Sequence, residues 1–97
     1  MHLTNDDIRG LSNGTQGVLI RLNVACQQAR ELWFWERWLG TKHWQQQRDR
    51  LDGSLSETIE VAQVMKGREQ FQADREALLK FYHEALKVYQ RVTRRFP

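Results

Sequence analysis

Residues Glu31 to Trp44 read ELWFWERWLGTKHW, and the way this stretch divides decides the fold. It carries all four tryptophans of the chain, Trp33, Trp35, Trp38 and Trp44, with Phe34 among them. From Leu32 to Leu39 the apolar side chains fall on every side of a helix, and a helix apolar all round has to be covered all round. Leu39-Gly40-Thr41 then reads as a helix end, a C-cap glycine and a new N-cap. The stretch is therefore the end of one helix followed by a corner.

Upstream, Ile8, Leu11, Thr15, Val18, Leu22, Ala25, Ala29 and Leu32 alternate in steps of three and four. That is a heptad seam, and it predicts a first helix of roughly 35 residues, about 50 Å long at 1.5 Å per residue. Thr4 is the predicted N-cap, with Asp7 completing a short capping box and Leu3 and Ile8 at staple spacing. Gly10, Gly14 and Gly17 each cost about 1 kcal/mol against alanine inside a helix, so the first turns are either closely packed or broken.

Downstream, Lys42 to Leu51 is a candidate short second helix. Asp52-Gly53 is a turn signal, and Ser54 with Glu57 forms a capping box for a third helix. Val64, Phe71, Leu78, Ala85 and Val92 recur every seven residues, which predicts that this helix runs on through Gly67. The alternative is a turn near Gly67 and a fourth helix, because residues 66–76 offer only Phe71 and Ala73 for burial. Leu78, Phe81, Tyr82, Ala85, Val88, Tyr89, Val92 and Phe96 then form one broad apolar stripe. The expected fold is all-α: an elongated helical hairpin or three- to four-helix bundle with long first and last helices, a single domain over 1–97.

The chain has 97 residues and a net charge of +3, with 40% hydrophobic and 28% charged residues, which are globular values. Its charge alternates in blocks: −1 over residues 1–36, +3 over 37–50, −3 over 51–76 and +4 over 77–97. The two basic blocks are also the most aromatic. Opposite blocks can pair across a bundle, which is the plain reading. The N-terminal MHLTNDDIRG lacks a basic region followed by an apolar one, and no apolar run approaches the roughly 20 residues of a membrane span. The single cysteine, Cys26, fits a reducing compartment. A cytoplasmic protein with no membrane contact is expected.

No chemistry-bearing motif stands out. His2, His43 and His83 are scattered without metal-ligand spacing, no phosphate-binding glycine loop is present, and Cys26 falls near the seam as a buried thiol. The expectation is a non-enzymatic chain with no cofactor and no metal. Tryptophan is enriched among interface hot spots because it buries a large area at modest entropy cost. Trp33, Phe34, Trp35, Trp38 and Trp44 are accordingly the candidate partner-binding residues of a small adaptor or assembly subunit. Its partner is another protein or a second copy.

A second class of function is nucleic-acid binding within a ribonucleoprotein. Arg9, Gln16, Asn23, Arg30 and Arg37 recur every seven residues, and no acidic residue lies between Ile8 and Arg30. Such a stripe can track a phosphate backbone. Arg37, Lys42, Arg48 and Arg50 interleave with Trp38 and Trp44 as backbone cations and base-stacking faces would. The candidate residues are Arg9, Arg30, Arg37, Lys42, Arg48 and Arg50. An ordinary solvated face explains the same composition.

Trp38-Leu39-Gly40, in a chain of this length, resembles the small WxG helical hairpins exported by Gram-positive bacteria. That resemblance implies two long helices and dimeric packing. The family's C-terminal signal of tyrosine followed four residues on by an acid is missing: Tyr82 is followed by Leu86 and Tyr89 by Thr93. The tryptophan density and basic charge also depart from it, and the family is not adopted.

Overall fold

The computed structural model describes residues 2–34 and 41–95. Among these, the elements are α1 (Asn5–Ile8), α2 (Asn13–Phe34), α3 (Thr41–Val64), a 3-10 turn at Glu69–Phe71 and α4 (Gln72–Arg95). The protein is an all-α helical bundle, as the periodicity predicts. The three long helices all pack on one another, and the molecule measures 47 × 23 × 17 Å. Arg21 bonds to Glu57 and Gln28 to Arg50, so α2 and α3 run antiparallel. Ser12 bonds to Asp74 at the start of both helices, so α2 and α4 run parallel.

Local sequence sets the first element. Thr4 Oγ1 accepts the Asp7 N–H, and Asp7 Oδ2 accepts the Thr4 N–H at 2.8 Å, completing the expected capping box. Leu3 and Ile8 both pack half-buried against the core. The helix then stops. Gly10 adopts φ +85°, a conformation that costs other residues about 1–2 kcal/mol, and the chain turns. The single first helix of 35 residues is therefore corrected to a four-residue α1 and a 22-residue α2, about 33 Å long.

The seam of α2 is buried as its spacing predicts: Thr15, Val18, Leu22, Ala25 and Ala29, joined by Leu19 and Cys26. On α4 the buried line is Leu78, Phe81, Ala85, Val88 and Val92, with Tyr82 and Tyr89 half-buried beside it. Phe96 lies outside the described residues.

Two expectations fail on α3. The turn at Asp52-Gly53 and the new cap at Ser54 are absent, and one helix of 24 residues passes through. Trp44, Leu51, Leu55, Thr58 and Ala62 are buried along one side of it. Burying that line outweighs the roughly 1 kcal/mol that a mid-helix glycine costs. Thr58 Oγ1 donates to the Ser54 carbonyl at 2.7 Å, so its buried hydroxyl is satisfied within the helix. The helix does end near Gly67, contrary to the seven-residue recurrence. Gly67 adopts φ +79°, and the Arg68 N–H closes back on the Met65 carbonyl at 3.1 Å. Residues 66–70 are all exposed and offer nothing to bury, so no packing energy opposes the turn. Val64, the first member of the recurrence, is 68% exposed.

Candidate functional site

The residues singled out for binding separate into different surroundings. Trp44 is 2% exposed and belongs to the central core with Leu51 and Ala29. It is corrected from a partner-binding or base-stacking residue to a core residue. The reason is its phase: it stands seven residues before Leu51 on the buried side of α3. Trp33 and Phe34 close α2. Trp35, Trp38 and Arg37 lie outside the described residues.

The acid-free stripe of the first helix is also divided. Arg9 follows α1, is exposed, and pairs with Asp6 at 3.2 Å. Because the chain turns at Gly10, Arg9 does not continue the line of α2. Gln16 Nε2 donates to the Leu11 carbonyl at 2.8 Å, closing the turn between α1 and α2. Asn23 and Arg30 are half-buried.

The first three turns of α3 present the basic block most openly. Lys42, His43, Gln45, Gln46 and Arg50 are exposed, and Arg48 is half-buried. Arg50 donates to the amide oxygen of Gln28 across the α2–α3 groove. This surface is cationic and amide-rich, with Asp49 and Asp52 exposed beside it.

One polar cluster escaped the sequence reading. Asp74, in the first turn of α4, is 6% exposed. Its Oδ2 accepts the Ser12 hydroxyl at 2.6 Å, the Thr15 hydroxyl at 2.8 Å and the Ser12 N–H at 3.2 Å. Ser12 is also the cap of α2: its Oγ accepts the Thr15 N–H and its carbonyl accepts the Gln16 N–H. A carboxylate thus sits where two helix N-termini converge, and both dipoles favour its negative charge. Burial alone would push its pKa up, but the Ser12 and Thr15 hydrogen bonds outweigh that and hold it below the ordinary carboxylate value. The cluster has no imidazole or amine to move a proton, and its hydroxyls are committed to one oxygen. Its chemistry is structural: it pins the start of α4 to the start of α2. A signal existed, because Asp74 stands four residues before Leu78 on the same seam.

Cys26 lies in the core, and burial pushes its thiol pKa up, so it is a poor nucleophile. Among the described residues no group of three or more His, Cys, Asp or Glu could hold a metal ion, and no helix is long and apolar enough to cross a membrane. Comparison with known proteins found no matching family model, no matching curated protein and no matching solved structure.

Proposed function

We propose that this chain is a small non-enzymatic helical adaptor or assembly subunit, acting through protein–protein contacts at the tryptophan-rich end of α2. The division of the aromatics carries the reading. Trp44 already fills the core at the start of α3, and the sequence supplies Trp33, Phe34, Trp35 and Trp38 in addition. Tryptophans in such excess are the residue type that dominates interface energetics. The expected result is that Trp33→Ala or Trp38→Ala lowers the mass in solution or abolishes partner capture while helicity is kept. If both variants stay folded and keep the wild-type mass and partner, the reading is wrong.

The cations of α3, exposed Lys42 and Arg50 with half-buried Arg48, favour nucleic-acid binding as a second reading. With Trp44 in the core, such binding would rest on phosphate contacts and fall steeply with salt. Mass measurement with a mixed oligonucleotide pool tests it, and absence of binding at low salt would end it.

A further inference from the structure

Between α2 and α3 there is a surface to whose lining no residue of α4 contributes. A groove of about 370 Å³ runs there, lined by Ile20, Val24 and Ala25 of α2 and by Arg50, Ser54 and Glu57 of α3. Ile20 and Val24 are 46% and 44% exposed, one helical turn apart. Val24 lies between the cross-links Arg21–Glu57 and Gln28–Arg50, and Ile20 lies beside the first of them. Gly53 occupies the same face of α3 as Arg50 and Glu57, at helical spacing. It has no conformational reason to be glycine, because its φ is negative and helical, and a Cβ there would meet nothing within 4 Å. Within one copy, it only weakens the helix.

Arg21, Arg50 and Glu57 line this face, and Glu57 already pairs with Arg21 within the chain, so a second copy's Arg50 would join that pair. Arg50 lies three residues before Gly53 and Glu57 four residues after it. Arg50 has an uncharged partner within the chain, Gln28, and no carboxylate pairs with it among the described residues. Two α3 helices crossing antiparallel near Gly53 would bring each Arg50 to the other copy's Glu57, twice over by symmetry. A two-fold interface requires this kind of match, in which residue i meets j and j meets i. The glycine allows close approach at the crossing, and Ile20 and Val24 then lie against the second copy's Gly53 turn.

We propose that the α2–α3 groove seats α3 of a second copy, in a two-fold dimer centred near Gly53 and closed by reciprocal Arg50–Glu57 pairs. This surface is separate from the tryptophan-rich end, so the two readings fail independently.

The test is mass in solution over a concentration series, with far-ultraviolet circular dichroism to confirm folding. Wild type reaches twice the one-chain mass. Arg50→Glu alone sets Glu against Glu at both crossings, and Glu57→Lys alone sets cation against cation, so each runs at the one-chain mass. Mixed in equal amounts they form the dimer again, since every crossing then pairs opposite charges. Gly53→Gln, whose Cβ has open space within the chain, also halves the mass. It stands as the decisive variant if loss of the Arg21–Glu57 pair unfolds Glu57→Lys. A wild type that stays at the one-chain mass to millimolar concentration overturns the proposal. So does a dimer that persists in folded Arg50→Glu and Gly53→Gln, which would place self-association elsewhere. A dimer lost in Trp33→Ala but intact in these variants would support the tryptophan-rich end and reject the groove.

Discussion

Gly53 and Gly67 stand 14 residues apart, and the chain treats them in opposite ways. The first follows an aspartate in a turn dipeptide, yet α3 runs straight through it. The second sits inside an unbroken seven-residue recurrence, yet the helix ends there with φ +79°. The local signal is misleading at both sites. What decides is the burial on either side. Leu51, Leu55 and Thr58 are buried across Gly53, whereas residues 66–70 are exposed without exception. A glycine breaks a helix where no side chain gains by continuing it. Past Gly67 a polar anchor takes over from the missing apolar one, since Asp74 fixes where α4 begins.

The hardest test of this comparison removes the burial that carries α3 past Gly53. Leu51 is fully buried. Leu51→Ala is expected to cost about 2–5 kcal/mol in urea unfolding, and to lower helicity around Gly53 more than elsewhere by hydrogen exchange. A loss under 1 kcal/mol would mean that the helix at Gly53 does not depend on its seam.

Asp74 is the counterpart on the other side of the turn. Asp74→Ala leaves the Ser12 N–H and two hydroxyls without their acceptor and is expected to cost about 2–3 kcal/mol. The pH dependence gives the sharper readout. A carboxyl held below its ordinary value stabilises the fold fully above that value and loses its contribution as pH falls through the lower folded one. Wild-type stability should therefore drop on acidification through the carboxylate range, and Asp74→Asn should flatten part of that drop. Equal acid dependence in the two proteins would show that Asp74 is not a source of it.

The helical class, the capping box at Thr4, the seams of α2 and α4 and the burial of Cys26 were legible, because each rests on spacing within one element. The misread features depend on what lies opposite. Trp44 looked like surface because its neighbours Lys42, His43 and Gln45 are polar, but its partners on the buried side are Leu51 and the distant α2 seam. Asp74 was not singled out, since only the approach of Ser12 and Thr15, about 60 residues earlier, makes it a buried pin. The division between Gly53 and Gly67 was legible in part, since the shortage of apolar residues from 66 to 76 was visible and was outweighed by a recurrence that the turn makes accidental.

Exchanging each glycine for alanine puts the comparison to direct use. At Gly67 the left-handed backbone strains any side chain, although a Cβ would meet no neighbour. Gly67→Ala is expected to lose about 1–2 kcal/mol. A gain there would mean that the helix prefers to run on, and the recurrence would be real after all.

Gly53→Ala is the smallest effect and the one of opposite sign. The site is helical, exposed and free of neighbours, so alanine should stabilise the folded chain by up to about 1 kcal/mol. That gain belongs to the single copy and is read by unfolding at low concentration. If Gly53 is the point where two copies cross, the same methyl group separates them, and the concentration dependence of the unfolding midpoint should weaken as the dilute midpoint rises. Stabilisation with unchanged concentration dependence would leave the glycine without a role in assembly, and the contrast with Gly67 would then be one of local burial alone.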